Sequence, residues 1–321
     1  MSTANNGRAR RVAHGQRSRM KAVVIRETGG PQVLQLEEIQ RPEPGLGEVL
    51  VRVLAASVNP IDWKYRRGIR PPELPMVLGR DISGTVAVSR ADGFTEGDEV
   101  FGTTASGGYA EFATAVSDAI AIKPQTVSHE QAASIPVAGL TAWQALFDRG
   151  RLKRGQTALI AGAAGGVGHF AVQFARRAET WVVGTGSSHN CDFVLGLGAD
   201  EYVDYAQQDV VEAARDVDCV FDTVGGAITS SLVPTLREGG VLVTIAGAPP
   251  EEAARLRGAR AELMMMHDDA EQLVRVADLV ASGEVHVEIS AELPLAEVGR
   301  AHEMSESGHT RGKIVLSLLP R

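Results

Sequence analysis

A glycine-rich turn between an apolar run and a helical pattern is the stretch of this sequence best suited to bind a charged small molecule. Residues 157–161 are apolar, residues 162–168 form the turn, and apolar residues recur at helical spacing beyond it. The turn reads Ala163-x-Gly165-x-x-Gly168, with alanine where the strict dinucleotide fingerprint has its first glycine. In such a β-turn-α unit, the diphosphate of a nicotinamide cofactor lies on the helix N-terminus. We therefore predict a diphosphate site at Ala164, Gly165, Gly166, Val167 and Gly168. The alternative is a tight turn that needs glycine only for close packing.

The residues at the end of the second predicted strand indicate which nicotinamide cofactor the chain binds. Residues 181–185 are predicted to form that strand, and residues 184–190 read Gly-Thr-Gly-Ser-Ser-His-Asn without a carboxylate. An acidic side chain here would accept hydrogen bonds from the ribose 2′-hydroxyl of NAD(H), whereas hydroxyls, amides and a histidine suit the 2′-phosphate of NADP(H). The sequence therefore favours NADPH, with candidate contacts at Thr185, Ser187, Ser188 and His189. An exposed loop histidine without a role is the alternative for His189.

Strands and helices alternate throughout the part of the chain that contains this turn. Such alternation predicts a doubly wound parallel sheet of the α/β class, the Rossmann arrangement. Val224 follows the fourth strand, Ala246 ends the fifth and Gly247 follows it, and these three residues complete the candidate cofactor contacts. The predicted strands are 157–161, 181–185, 201–204, 218–222, 241–246 and 260–266; the predicted helices are 140–147, 192–197, 209–215, 228–237, 270–281 and 295–304.

The chain from Met20 to about residue 122 has a different pattern. Short strands are separated by Pro/Gly turns, as in residues 21–25, 34–39 and 48–55, which predicts a small β-rich barrel or sandwich. A length of 321 residues exceeds a single core, so two domains are expected.

Composition excludes several functional classes. The formal net charge of −8 and the lack of a basic stripe argue against nucleic-acid binding. No run approaches the roughly 18 consecutive apolar residues of a membrane span. Two cysteines, Cys191 and Cys219, cannot form a disulfide framework for this length, so we expect free thiols in a reducing compartment and a cytoplasmic location.

The N-terminal residues 1–19 differ from the rest of the chain. Five arginines lie among Ser, Asn and Gly without an apolar segment, which excludes a secretory signal. A disordered extension is the prediction, with a transit peptide or a nucleic-acid-binding arm as alternatives.

An ordered set of motifs gives the sequence its family resemblance, which extends from Met20 to about residue 319. The chain resembles the medium-chain dehydrogenase/reductase superfamily, and within it the zinc-free quinone oxidoreductase and enoyl reductase branch. The resemblance implies a GroES-like catalytic domain over 20–138 and 287–321, a Rossmann NADPH-binding domain over 139–286, and a homodimer. Its motifs are Asn59-Pro-x-Asp62, Gly79-x-Asp81-x-x-Gly84, Gly97-Asp98-x-Val100, Gly108-Tyr-Ala-Glu111, Gly139-Leu-Thr141-Ala-Trp143, the glycine turn, Leu197-Gly-Ala-Asp200 and Gly312-Lys-Ile-Val-Leu316.

The zinc ligands of related enzymes are missing from this sequence. Zinc-dependent relatives carry a cysteine and a histidine near the positions held here by Val58 or Asn59 and by Arg80, and a lobe of four cysteines. We therefore expect no metal. Without a Lewis acid, transfer of a hydride to a quinone or to the activated C=C bond of an α,β-unsaturated carbonyl compound is the chemistry that fits.

The resemblance also implies roles for individual residues. Asn59 is expected beside the nicotinamide and substrate, and Asp62 is expected to orient that loop; an Asx turn at Asn59-Pro60 is the alternative. Thr141 corresponds to a position near the nicotinamide ribose, and Tyr205 to one near the adenosine end. Asn59, Asp62 and Tyr65 are thus the candidate catalytic residues, and Asn59, Thr141 and Tyr205 join the candidate cofactor contacts.

The proton donor is where the sequence departs from the family pattern. Enoyl reductases of the family carry a tyrosine soon after the loop glycine, whereas Ile69 and Arg70 follow Gly68 here. Tyr65, Tyr109 and solvent are the alternatives, and Tyr65 as a packing residue is a further one. This departure keeps open a second function, an NADPH-binding accessory protein or a non-redox cyclase.

An arginine cluster on the same loop permits one more interpretation. Arg66, Arg67 and Arg70 either attract an acidic substrate, such as a coenzyme A or carrier-protein conjugate, or form a solvated loop.

Overall fold

The structure is a computed structural model that describes residues 18–318. The predicted disordered extension lies outside the described residues except for its end, where Arg19 instead begins a strand. The strands are β1 (Arg19–Ile25), β2 (Gln35–Gln40), β3 (Glu48–Val58), β4 (Met76–Val77), β5 (Asp81–Ser89), β6 (Glu99–Thr103), β7 (Phe112–Val116), β8 (Ile120–Ile122), β9 (Thr157–Ala161), β10 (Trp181–Gly186), β11 (Glu201–Asp204), β12 (Val217–Asp222), β13 (Leu236–Thr244), β14 (Arg260–Leu263), β15 (Ile289–Pro294) and β16 (Lys313–Ser317).

Most helices lie in the second half of the chain, between the strands that follow the glycine turn. The α-helices are α1 (Pro60–Arg66), α2 (His129–Ser134), α3 (Pro136–Trp143), α4 (Gly168–Arg177), α5 (Cys191–Gly196), α6 (Val210–Ala213), α7 (Ala227–Ser231), α8 (Glu251–Leu256), α9 (Ala270–Ala281) and α10 (Val298–Glu306).

The N-terminal half forms a β-rich unit of the GroES-like kind. Its larger sheet has the order β15-β16-β3-β5-β6-β8, with β7 also paired to β3, and a smaller sheet has the order β2-β1-β4. Strand β3 lies in the middle of this sheet. Valines alternate along it, so Val49, Val51 and Val53 point to one face and pack with Ile82 and Leu316 in an apolar cluster. The C-terminal strands β15 and β16 thus complete the sheet of the N-terminal half. The exact domain boundaries stay a prediction.

The second half contains a six-stranded parallel sheet in the order β11-β10-β9-β12-β13-β14. Numbered from β9, this is the order 3-2-1-4-5-6 of dinucleotide-binding folds. Helices cover both faces of the sheet: α3, α4 and α9 pack on one side, and the opposite face has its own apolar cluster around Leu159, Val220 and Leu242. The predicted α/β fold class is therefore correct. The glycine turn leaves the carboxyl end of β9, where the strand order reverses.

Several predicted elements differ from the structure: the helix predicted over 140–147 is α3, which ends at Trp143 before a π-helical segment, and the strand predicted over 241–246 is β13. The helix predicted over 228–237 ends at Ser231, and a short 3-10 turn (Val233–Thr235) leads into β13. Pro234 explains the break, because proline lacks the amide hydrogen that an α-helix requires and restricts the residue before it.

The strand predicted over 260–266 ends at Leu263. Met264 still donates its backbone N–H to the Thr244 carbonyl at 2.9 Å, and its side chain then turns into the apolar cluster beneath α3 and α9. Met266 packs against the same cluster, whereas Met265 is exposed.

Among the helices within residues 18–318, none has the length and apolar character needed to cross a membrane.

Candidate active site

The glycine turn (residues 162–168) forms a cradle at the N-terminus of the ten-residue helix α4. Its amide groups carry the positive end of the helix dipole, which favours an anion. At Gly168 an added Cβ would lie 2.1 Å from the Gly162 carbonyl oxygen, and one at Gly166 would lie 3.2 Å from the Gly312 carbonyl oxygen. Because the backbone passes so close, only glycine fits at position 168. A Cβ at Gly165 would meet only the Gly162 carbonyl oxygen, at 3.3 Å, so the turn is open to a ligand there. The residues present fit a dinucleotide diphosphate.

The chain turns sharply at a residue that the fingerprint did not indicate. Gly162, with φ of 73°, takes the left-handed conformation, so the chain reverses one residue before the alanine that occupies the first fingerprint position. Ala163 is buried and donates its N–H to the Thr185 carbonyl at 3.0 Å. An alanine at that position thus packs against β10 and leaves the cradle intact.

The loop after β12 lies against the glycine turn. Buried Asp222 accepts hydrogen bonds from the backbone N–H groups of Val224 at 2.9 Å and Gly225 at 3.0 Å, which fixes this loop. A Cβ added to Gly162 would lie 3.0 Å from Val224 Cγ2, and one at Gly225 would lie 2.5 Å from the Ala246 carbonyl oxygen. Val224 is therefore next to the glycine turn, Ala246 is next to Gly225 in the loop after β12, and Gly247 follows.

The loop at the end of β10 (residues 187–190, the specificity loop) gathers the polar groups that the sequence predicted for the 2′-phosphate. Ser187 Oγ and His189 Nδ1 are 3.1 Å apart, and Tyr202 donates its hydroxyl to the Ser187 carbonyl at 2.7 Å. Ser188 begins the short helical turn of this loop. Tyr205 is 55% exposed and donates its N–H to the Gly186 carbonyl at 3.3 Å. Thr185 differs from these residues because it is buried within β10.

Arg311 is a cation that contacts this loop and that the sequence did not indicate. Its Nε donates to Asn190 Oδ1 at 3.1 Å, its Nη2 donates to the His189 carbonyl at 3.0 Å, and its guanidinium lies 4.7 Å from the Phe193 ring centroid. The sequence offered only His189 as a positive group near the phosphate. Arg311 is 122 positions from His189, so nothing local in the sequence pointed to it.

Asn59 lies where strand β3 becomes helix α1, within a buried polar network (Ser57, Asn59, Asp81, Lys313). Asp81 Oδ2 accepts from Ser57 Oγ and from Asn59 Nδ2, each at 2.8 Å. Lys313 Nζ donates to Asn59 Oδ1 at 2.6 Å and is 3.6 Å from Asp81 Oδ2. These residues meet because β16, β3 and β5 are neighbours and Ser57 is paired with Asp81. Asp81 and Lys313 belong to the family motifs, but their positions in the sequence indicated no role for either residue.

The network touches the cofactor half of the molecule. The Gly312 N–H donates to the Ala164 carbonyl at 2.9 Å, and the Val137 N–H at the start of α3 donates to Asp81 Oδ1 at 3.0 Å. Thr141 is one helical turn beyond Val137 and is buried. The structure therefore brings Asn59, the glycine turn and the helix of Thr141 together.

Asp62 is hydrogen-bonded to the Asn59 loop, and its functional role stays a prediction. Its Oδ2 accepts from the Asn59 N–H at 2.8 Å and from the Tyr109 hydroxyl at 3.0 Å, and its Oδ1 accepts from the Gly79 N–H at 3.2 Å. Burial raises the pKa of Asp62 to about 6.

The two tyrosines considered as proton donors occupy packed positions. Tyr109 is fully buried, its hydroxyl is bonded to Asp62, and burial raises its pKa well above 10. Tyr65 is half-buried and packs against the apolar cluster that contains Val51 and Ile82. The position of Tyr65 therefore favours the interpretation as a packing residue. The catalytic role of Tyr65 stays a prediction.

The proposed arginine cluster is only partly exposed. Arg66 is fully buried and pairs with Glu306, which Arg67 also contacts. The interpretation of Arg66 as a substrate-attracting cation is therefore wrong, because its guanidinium has no access to solvent.

Side chains that can bind a metal ion are not clustered within residues 18–318. In the part of the chain that the structure describes, no group of three or more His, Cys, Asp or Glu side chains is placed to hold a metal ion. Cys219 is buried, which raises the pKa of its thiol to about 12 and disfavours the thiolate that zinc requires. The residues present do not fit a zinc centre, and we derive no step through one.

We predict that Asp62 gives the protein a measurable pH dependence of stability. Because its pKa in the folded state exceeds the ordinary value of 3.8, the folded chain takes up this proton first, and stability attributable to Asp62 rises as pH falls through about 6. The free energy of unfolding of the wild type, minus that of Asp62→Asn, should increase by about 2 kcal/mol from about pH 7 to about pH 4.5 in urea titrations. The exposed Asp118, changed to Asn, is the control. A difference that is flat, or that shrinks on acidification, would contradict the raised pKa.

The chain is similar to known proteins over nearly its whole length. Residues 45–125 match the family described as alcohol dehydrogenase GroES-like domain, and residues 197–316 match the family described as zinc-binding dehydrogenase. A chloroplast envelope quinone oxidoreductase homolog of Arabidopsis thaliana is 33% identical over 312 residues, which cover 90% of this chain and 95% of that protein. An NADPH-dependent alkenal/one oxidoreductase of the same plant is 31% identical over 94% of this chain and 80% of its own length. The solved structure of a quinone oxidoreductase from Coxiella burnetii superposes with a TM-score of 0.90 at 36% identity and covers 94% of this chain and all of that one.

Proposed function

The chain belongs to the quinone oxidoreductase branch of the medium-chain dehydrogenase/reductase superfamily, and from this premise we propose that it is an NADPH-dependent, zinc-independent reductase. Its substrates are quinones or α,β-unsaturated carbonyl compounds reduced at the activated C=C bond. The observation that carries the proposal is the buried network around Asn59. An amide, a carboxylate and an ammonium are hydrogen-bonded to one another here, next to the glycine turn.

NADPH would be held by residues from both halves of the molecule. The backbone at residues 164–168 would bind the diphosphate. Ser187, Ser188, His189 and Arg311 would bind the 2′-phosphate, and Tyr205 would lie near the adenosine. Asn59 and Thr141 would hold the nicotinamide end, with Val224, Ala246 and Gly247 at the carboxyl edge of the sheet. When bound, NADPH supplies a hydride.

The side chain of Asn59 provides the polar group for the substrate. Its Nδ2 uses one N–H for Asp81, which leaves the second N–H as a donor to the substrate oxygen on which negative charge develops. One oriented hydrogen bond of this kind stabilises the transition state more than the ground state. A proton from solvent or from Tyr65 then completes the reduction.

A substrate and cofactor panel tests this function. Purified protein is mixed with NADPH or NADH and with a series of quinones, enones, enoyl thioesters and simple aldehydes, and absorbance at 340 nm is followed. We expect NADPH oxidation with at least one quinone or enone, slower oxidation of NADH, and none with simple aldehydes. A lack of turnover on the whole panel, or turnover lost on treatment with a zinc chelator, would contradict the proposal.

A second function is favoured by the packed positions of Tyr65 and Tyr109 and by the absence of a tyrosine just after Gly68. Without a side-chain proton donor, the same fold serves as an NADPH-binding accessory protein or as a non-redox cyclase. Tight NADPH binding without turnover on the panel would support this second function. The homodimer and the cytoplasmic location remain predictions from the sequence.

A further inference from the structure

Lys313 is a buried cation with a fixed backbone. Only 3% of the Lys313 surface is exposed. At the start of β16, its backbone N–H donates to the Glu288 carbonyl at 2.8 Å. Its neighbour Ile314 is paired with Val58 on β3, immediately before Asn59. The strand pairing therefore delivers the ammonium of Lys313 to the side chain of Asn59.

The contacts on the two ends of the Asn59 amide are of opposite kinds. An ammonium donates hydrogen bonds and cannot accept them, and it contacts Oδ1 at 2.6 Å. The carboxylate of Asp81 accepts hydrogen bonds, here from Ser57 Oγ and from Asn59 Nδ2, each at 2.8 Å. A flipped amide would place its NH₂ against the ammonium and its oxygen against the carboxylate. Both contacts would then be repulsive, so the amide has one stable orientation.

Lys313 also lies against the glycine turn. The N–H of the preceding residue, Gly312, donates to the Ala164 carbonyl, and a Cβ added to Gly166 would lie 3.2 Å from Lys313 Cδ. A Cβ on Gly312 itself would lie 2.3 Å from the Glu288 carbonyl oxygen, so the chain passes this point in a single tight path. The lysine thus lies between the cofactor cradle and the Asn59 loop.

We propose that Lys313 is a positioning residue that, together with Asp81, locks the Asn59 amide so that its free N–H faces the substrate. It has no direct contact with substrate in this role. The inference rests on the proposed function for its effect on turnover, but the orientation of the amide is a property of the protein without any substrate.

Kinetics and stability separate this role from simple structural support. Lys313→Met leaves Asp81 buried without its cation, so we expect a lower melting temperature and kcat lower by about tenfold, with the dissociation constant of NADPH within about threefold of wild type. In Lys313→Met with Asp81→Asn both charges are gone, and we expect the melting temperature to recover. The value of kcat should stay low, because an asparagine at 81 accepts either orientation of the Asn59 amide.

Lys123→Met is the matched control. Lys123 is a second buried lysine, paired with Glu99 at 3.1 Å and outside the polar network. We expect its loss to lower stability and leave kcat unchanged. Recovery of kcat together with stability in the double variant, or full kcat in Lys313→Met, would overturn the proposal.

A measurement without turnover tests the amide itself. The chain has four asparagines (Asn5, Asn6, Asn59 and Asn190), so selective ¹⁵N-asparagine labelling gives a simple NMR spectrum. In wild type we expect one pair of Asn59 side-chain resonances with slow hydrogen exchange, and faster exchange in Lys313→Met. Exchange at Asn59 that is fast in wild type, or equal in both proteins, would overturn the positioning role. Failure of the proposed function would appear separately, as a wild-type protein without reductase turnover.

Discussion

Gly168→Ala is expected to weaken NADPH binding by about 100-fold, the equivalent of about 3 kcal/mol. The new methyl group would begin 2.1 Å from the Gly162 carbonyl oxygen, and the nearest atoms belong to backbone, so no side chain can rotate to make room. The turn must move instead, which displaces the amides that face the diphosphate. Fluorescence titration with NADPH measures the effect, and circular dichroism checks that the fold is retained.

Gly196→Ala is the matched control for this prediction. Gly196 ends helix α5, and an added Cβ there meets nothing within 4 Å. We expect NADPH affinity to be unchanged. If Gly168→Ala does not fold, Gly165→Ala gives the milder case, since its Cβ would be 3.3 Å from the Gly162 carbonyl oxygen. Wild-type affinity for NADPH in both turn variants would contradict the assignment of this turn to the cofactor.

Arg311→Ala is expected to lower NADPH affinity by about 10- to 100-fold, the range of a charged hydrogen bond, and to change NADH affinity by less than about twofold. The guanidinium is the side-chain cation that the structure places at the specificity loop, and a 2′-phosphate is the part of the cofactor that distinguishes NADPH from NADH. Arg311→Lys should be intermediate, because it keeps the charge but loses the paired donors to Asn190 and His189. Parallel titrations with the two cofactors measure the preference.

The control for Arg311 is Arg300→Ala on helix α10. Arg300 is an exposed arginine that pairs with Glu297, and we expect no change with either cofactor. Equal losses of NADPH and NADH affinity in Arg311→Ala would show that the residue supports the loop without contributing to phosphate recognition.

The local order of elements was predictable from the sequence because it depends on local patterns. The apolar run of β9, the glycine turn and helix α4 follow one another directly, and the parallel strands β10 to β13 are short apolar segments between helices. The same reasoning failed where one residue outweighed the pattern. Pro234 ended a helix that periodicity would have continued to residue 237.

The candidate site was predictable only in part, because it is assembled from distant segments. Asn59 and Asp62 could be named because both belong to one short motif of the resembled family. Lys313 begins the last strand and Arg311 lies two residues before it, and their partners Asn59 and Asn190 are 254 and 121 positions away. No periodicity reports such pairings, since they depend on which strands are neighbours in a sheet. The buried position of Tyr109 likewise follows from packing that the sequence does not display.

Transfer of deuterium from cofactor to substrate tests the central claim most directly. The protein is incubated with NADPH carrying deuterium at C4 of the nicotinamide, on one face and then the other, and with an enone that is active on the panel; the product is examined by NMR and mass spectrometry. We predict one deuterium at the β-carbon from one of the two labelled faces, with the C=O group intact. Deuterium on the carbonyl carbon, or none in the product, would contradict a reductase of activated C=C bonds.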